Sequence, residues 1–379
     1  VGTACASSFA QQRPFAFTAY SCNVSMPPST PVMGVGASSN ELYYLAWGSE
    51  VWDATTLKLL RKGDDVGVYL AVADATTGYA VKSFGTILNT TGMGLFKVDL
   101  TTLTSSLVGK LQFPRGWSIE SMAYPSSATS KAGGDVYATV STGFMLGASM
   151  FAQVDTSSAA LVRSVQLMYP TNSGDSGLAS PAFDVPWNKA FFWTGPSTLT
   201  SVDLDTFEAT NMTTHMSHSF NLGGQPAAIV GLPNTHLVGY VAQVRDVARG
   251  VNKIQFVIED LHDATVAPKV LDVEFNQYMN ASTAMPLGTG VFSGTSVDDS
   301  YFYFAVYDWR LTSMYRVSAA GEMVVAPPVL SGMADIETAI VANPDAAFLM
   351  MEVSTVLPPP NGTHYPDYPC AFMMGRFGF

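Results

Sequence analysis

Few residues in this chain have the type and spacing that chemistry needs. His215 and His218 stand three apart, as zinc ligands do, but zinc requires a third and fourth ligand, and no Cys or carboxylate is spaced to complete the set. His236, His262 and His364 fall elsewhere in the chain. Asp298 and Asp299 are adjacent carboxylates. Neighbours on an extended chain point apart, whereas the two carboxylates of a glycosidase must face each other across a sugar, so this pair reads as turn residues. There is no Gly-x-Ser-x-Gly elbow and no phosphate-cradling glycine motif; Gly223 and Gly224 come nearest, but they precede a strand rather than a helix. The run Arg245-Asp246-Val247-Ala248-Arg249 suits a partner carboxylate or an acidic sugar, and equally a solvated loop with an internal ion pair. No catalytic centre, metal or cofactor is expected.

The elements around these residues are strands. Hydrophobic residues make up 47% of the 379, and charged residues 13%, against about 25% in ordinary globular proteins. Such a chain buries a large core and leaves little disorder. A net charge of −12 argues against nucleic acid and anionic membrane as partners, because phosphate binding needs clustered Lys and Arg. No run of 18 apolar residues exists, so no transmembrane helix is expected.

From Pro31 to Phe379 a unit of about 50 residues recurs, with small-residue strands such as YLAVADAT and AAIVGLPN each followed by an aromatic or β-branched strand such as KAFFWTGP or YFYFAVYD. Small residues fit strands that converge on a narrow axis, while bulky ones fill the space between neighbouring sheets. A hairpin motif marks the outer half of the unit: Asp53 with Thr56, Asp99 with Thr102, Asp155 with Ser158 and Asp203 with Thr206, and a weaker copy at Asp260 with Asp263. A short polar side chain that accepts backbone N–H groups sets such a turn. The provisional blades run Pro31–Lys62, Val66–Leu111, Ser118–Met168, Leu178–Thr213, Pro226–Val273, Gly288–Pro328 and Asp335–Phe379. The seventh stops one strand short, and residues 13–22 are the best donor of the missing strand, with 1–12 as an arm outside the repeat. The fold expected is all-β: a seven-bladed β-propeller of four-stranded antiparallel blades, the last completed by the N-terminal strand.

The hairpins LFKVDLTTLTSSLVGKL, MFAQVDTSSAALVRSVQL and LTSVDLDTFEAT resemble the β-propeller repeats of the YVTN and quinoprotein-like type. The resemblance implies the fold and carries no activity. The Gly-His and Trp-Asp pairs of WD40 repeats do not recur as a set.

Long connections are expected at Tyr169–Gly177, Thr214–Gln225, Arg245–Asn252, Asn276–Leu287 and Val356–Pro369, all on one face, where binding would concentrate. Asn23, Asn89, Asn211, Asn280 and Asn361 are Asn-x-Ser/Thr sequons, four of them between the expected strands and Asn211 at a strand end. With Val1 opening the chain, they point to a mature secreted, N-glycosylated protein. Cys22 ends the closing strand and Cys370 opens its neighbour, so a Cys22–Cys370 disulfide is expected; Cys5–Cys22 is the competing pairing, and either leaves one Cys over. If the closing strand comes from a neighbour, each protomer completes the next and the assembly is open-ended. The leading expectation is therefore an extracellular fibre or surface layer, with the protein itself and its N-linked glycans as partners. In that assembly Pro14, Phe15, Phe17 and Tyr20 would dock against Phe372, Met374 and Phe377. A monomeric extracellular propeller binding a glycan or protein on its long-loop face is the alternative, and a carbohydrate-active or lyase-type enzyme the third reading.

Overall fold

The structure, a computed structural model, describes residues 15–22, 32–35, 41–45, 49–63, 66–86, 89–113, 117–124, 135–141, 148–168, 181–195, 198–212, 229–246, 251–273, 290–295, 300–307, 311–327, 329–330, 341–342, 345–352 and 372–379. They form seven antiparallel sheets, six of them built around four consecutive strands from the inside outward and the seventh completed by a strand from the other end of the chain. Blade 1 holds Val32–Val35, Glu41–Leu45, Ser49–Asp53 and Leu59–Gly63; blade 2 holds Val68–Val72, Thr77–Thr86, Asn89–Asp99 and Thr104–Leu111. Blade 3 holds Ser118–Ala123, Asp135–Ser141, Ala148–Asp155 and Leu161–Met168; blade 4 holds Ala182–Asp184, Lys189–Gly195, Thr198–Asp203 and Ala209–Met212. Blade 5 holds Ile229–Gly231, Leu237–Asp246, Val251–Asp260 and Lys269–Val273. Blade 6 holds Gly290–Thr295, Tyr301–Tyr307, Leu311–Ser318 and Met323–Val325, with Val329–Leu330 also paired to its third strand.

Blade 7 is composite. Its inner, second and third strands are Val341–Ala342, Ala346–Glu352 and Phe372–Gly378, and its outer strand is Ala16–Ser21 from the other end of the same chain. Phe17 pairs with Phe377, and Tyr20 with Gly375. This corrects the expectation of a strand donated by a neighbour: the open edge that a fibre would use is filled in cis, and filling it within one chain avoids the loss of freedom that a second molecule would incur. The residues expected to join protomers are internal instead. Phe15, Phe377 and Met373 pack with Tyr303 and Met314 of blade 6, and Phe17 lies against that cluster. Met374, one residue on from Met373, points to the opposite side and packs with Leu42 and Trp52 of blade 1. Tyr20 is 44% exposed. Pro14 and the arm 1–12 lie outside the described residues, as does the side chain of Phe372.

The inner strands of blades 1 to 3 meet in turn, as do those of blades 4 to 7, and the inner strand of blade 7 meets that of blade 1. Blades 3 and 4 join through Tyr137 and Phe151 packed on Phe183, Phe192 and Phe207. The close approach explains the small residues: a Cβ on Gly231 would come within 2.8 Å of the Phe183 carbonyl oxygen of the next inner strand. The second strands fill the seams with Tyr43, Tyr137, Phe191, Phe192, Tyr240, Phe302 and Phe304, all buried. Each such ring contributes on the order of 2 kcal/mol through burial.

The Asp turns are built as their spacing implies. Asp53 Oδ1 accepts the N–H groups of Thr55 and Thr56, and Asp203 Oδ1 those of Asp205 and Thr206. The residue four after each Asp then takes a left-handed conformation: Leu57 (φ 51°), Leu103 (54°), Ala159 (58°) and Phe207 (60°). All four are buried, each in the seam with the preceding blade.

Candidate functional site

Connections between inner and second strands, and between third and outer strands, emerge on one face. There the seam of blades 4 and 5 gathers a polar and aromatic cluster. Asp184 ends the inner strand of blade 4, and its Oδ1 accepts the Trp187 N–H at 3.0 Å, which turns the chain into the next strand. Its Oδ2 lies 2.7 Å from Nδ1 of His236, the residue that opens the second strand of blade 5. A carboxylate oxygen can only accept, so Nδ1 carries the hydrogen and Nε2 is left as the basic nitrogen. The carboxylate is almost fully buried, and 35% of the imidazole is exposed.

A second imidazole covers the first. His262 follows Asp260, whose Oδ1 accepts the N–H groups of His262 and Asp263, so the weaker copy of the Asp motif serves as a turn. Its ring stacks on His236 with centroids 4.4 Å apart and 19° between planes. Trp187 meets His262 edge-on at 5.0 Å, and the Lys189 ammonium lies 4.4 Å from the centre of the Trp187 ring. The backbone adds a tie across the same seam, from Val185 N–H to Pro233 O at 2.7 Å.

Deeper in the seam Tyr240 OH donates to Glu259 at 2.8 Å, and Trp193 stands edge-on to Tyr240 at 5.2 Å. Burial, with the Glu259 carboxylate close by, pushes the Tyr240 phenol far above its ordinary range. Glu259 occupies a strand position that holds Trp52, Val98, Val154, Val202, Val317 and Phe377 in the other blades. Trp193 Nε1 is buried with no acceptor among the described residues.

The arrangement orients one imidazole firmly and presents a half-exposed aromatic surface. Stacked rings do not converge their nitrogens on one point, and among the described residues no group of three His, Cys, Asp or Glu side chains could hold a metal. No described hydroxyl or thiol hydrogen-bonds His236, which a base activating a nucleophile requires.

None of this was singled out from the sequence. His236 and His262 lie in different turns of the same blade, and Asp184 is 52 residues from its partner. A faint signal existed: Asp184 ends one inner strand, Asp74 follows another by two residues, and both set the following turn. His215, His218, His364, Asp298, Asp299, Gly223, Gly224 and the sequons Asn23, Asn280 and Asn361 lie outside the described residues, as do most of the long connections. Asn211 is exposed on the outer strand of blade 4, where its Oδ1 accepts from Thr200 Oγ1. Two placements differ from expectation. Asn89 sits in a strand, paired with Thr86, and Arg245 and Asp246 extend the second strand of blade 5, paired with Asn252 and Val251. Both hairpins continue because β-branched and apolar residues flank the polar ones and carry the ladder past them. Cys22 is disulfide-bonded, while Cys5 and Cys370 lie outside the described residues. No described helix is long and apolar enough to cross a membrane.

No family model and no curated protein matches this sequence. Solved structures do. The Cps50 (Swd1) β-propeller domain of Myceliophteria thermophila is 13% identical, with a TM-score of 0.52 over 97% of this chain and all of that one. U3-55K is 8% identical, with a TM-score of 0.55 over 96% of this chain and all of that one. Neither description includes a fibre, a surface layer or a secreted glycoprotein. Together with closure in cis, this corrects the expectation of a secreted fibre subunit. The chain is a seven-bladed β-propeller, and its likeness to known proteins is a likeness of fold.

Proposed function

We propose that this propeller is a non-catalytic scaffold that holds a protein partner on the short-turn face at the seam of blades 4 and 5. The observation that carries this reading is the half-exposed set of Trp187, His236 and His262, fixed from below by the buried Asp184. Aromatic side chains held in one rotamer by packing lose little entropy on binding, which is why such residues dominate interface energetics. Elsewhere the same face is lined with exposed Asp turns, among them Asp53, Asp99, Asp155 and Asp203, which would favour a basic rim on the partner. The Asp184–His236 pair orients the imidazole for contact in this reading, rather than for proton transfer.

A photo-crosslinking residue placed at His262 in the full chain tests it, with one at the exposed Leu107 of blade 2 as control. The expected result, in an extract of the cells the protein comes from, is one protein joined at position 262, not joined at 107, and lost when Trp187→Ala is added. Equal labelling from both positions, or labelling that survives Trp187→Ala, overturns the assignment.

A further inference from the structure

The seam that closes the ring contains a cation with no hydrogen-bond acceptor among the described residues. Arg316 lies on the third strand of blade 6, paired with Tyr303 on one side and Val324 on the other. The residue is 8% exposed. Its guanidinium carbon stands 3.4 Å from the ring centre of Tyr301 and 4.5 Å from that of Phe379, the residue that follows the third strand of blade 7. Phe15, just before the closing strand, packs on both Phe379 (5.5 Å) and Tyr303 (6.4 Å). The surroundings of Arg316 are thus made by blade 6 and by the two chain segments that complete blade 7.

Among the described residues nothing accepts a hydrogen bond from this guanidinium, and its Nε is fully buried without a partner there. The guanidiniums of Arg61 and Arg376 differ in having acceptors for part of their forks, although Arg61 Nε too is buried without one. Arg61 makes a two-pronged pair with Glu41, and Arg376 donates to Ala54 O and Thr18 Oγ1. In a chain of net charge −12 a carboxylate for Arg316 would be easy to place, yet none pairs with it among the described residues. Aromatic faces attract a cation but supply no acceptor for its N–H groups, and a buried charge left unpaired is strongly unfavourable. Among its three nitrogens, Nε is the one that is both buried and without an acceptor among the described residues.

We infer that Arg316 is the floor of a carboxylate-binding site between blades 6 and 7. With the Tyr301 and Phe379 rings against it, the guanidinium still has its N–H groups to offer, and a planar two-oxygen carboxylate matches that fork. The acidic chain disfavours polyphosphates and nucleic acid. The rings of Phe379 and Phe15 beside the fork favour a carboxylate with an adjoining apolar group. Two sources share that chemistry: a small aromatic acid and the C-terminus of a peptide ending in an apolar residue. The site is independent of the blade 4–5 surface, and the failure of either leaves the other standing.

The test uses the full chain at constant ionic strength, titrated with benzoate, with N-acetylphenylalanine and with inorganic phosphate. The readouts are calorimetry and the Arg316 Nε–H resonance, which burial should make visible. One-to-one saturable binding of a carboxylate is expected, with a shift of that resonance, loss of binding in Arg316→Met and a weakening of about tenfold in Arg316→Lys, which keeps the charge but not the fork. The tighter of the two acids identifies the source. Absence of saturable binding by both acids overturns the inference, as does undiminished binding in Arg316→Lys or an equal response to phosphate. Should Arg316→Met fail to fold, the wild-type resonance and Arg316→Lys still decide the matter.

Discussion

Four residues carry the cost of the outer turns. Leu57, Leu103, Ala159 and Phe207 adopt positive φ, a conformation that costs a non-glycine residue roughly 1–2 kcal/mol. They remain there because the side chain is driven into the seam with the preceding blade. Two substitutions separate the opposing effects. Leu103→Gly relieves the backbone but removes a buried leucine, and is expected to destabilise by about 2 kcal/mol. Ala159→Gly removes one methyl group and is expected to stay within about 0.5 kcal/mol of the parent. Denaturant titration of the two variants measures the contrast.

The turn aspartates also set the acid response. Hydrogen bonds from neighbouring backbone N–H and Thr or Ser hydroxyl groups hold Asp53, Asp74, Asp99, Asp155, Asp203 and Asp263 below the ordinary carboxylate range. A carboxylate whose pKa is lowered by folding stabilises the folded state above its unfolded pKa, about 3.9. That contribution is lost as pH falls through the lower, folded value. Stability should therefore decline on acidification below about pH 4. Replacing Asp53, Asp99 and Asp203 together with Asn keeps the acceptor oxygens and removes the titration, so the midpoint of urea unfolding should depend less steeply on pH in that range.

At the scale of the elements, the seams between blades bear most of the stability. Gly239 on the second strand of blade 5 is enclosed by rings: a Cβ there would lie 2.6 Å from Phe256 Cζ and 2.8 Å from Phe302 Cδ1. Gly239→Ala is expected to destabilise by about 1–3 kcal/mol through overpacking, read as a lower melting temperature. In the neighbouring seam, Tyr240→Phe takes a donor from the buried Glu259 and should cost about 1–3 kcal/mol. Adding Glu259→Leu should recover part of that loss, because aliphatic or aromatic residues fill this position in the other blades. Recovery in the double variant, measured by denaturant titration, distinguishes a cost of taking a donor from the buried carboxylate from a cost of losing the ring hydroxyl.

At the scale of the molecule, closure in cis predicts a single species of about 40 kDa in sedimentation, unchanged over about a hundredfold in concentration, since the open edge of blade 7 is already filled. Phe15→Ala with Phe17→Ala should loosen the closing strand, lower the melting temperature and introduce concentration-dependent association as the edge of Phe372–Gly378 becomes free.

What the sequence determined by itself was the local design. The Asp turn, the small inner strands and the bulky second strands each arise within a span of a few residues, where propensity, turn chemistry and alternation act directly. Because the same span recurs around the ring, the number of blades and their strand order were legible from Asp53, Asp99, Asp155 and Asp203 and the strands between them. The tertiary structure alone decided three things. A strand from the same chain and one from a neighbour have the same sequence, so closure in cis was set by which end could reach the open edge, with Phe15 and Phe17 packing on Tyr303 and Phe377. The meeting of Asp184, His236, His262 and Trp187 depends on how blade 4 is rotated against blade 5, which no spacing along the chain encodes. The setting of Arg316 is likewise a fact of the folded seam: an arginine in a strand is ordinary, and only packing shows that two rings lie against it while no described residue accepts from its Nε.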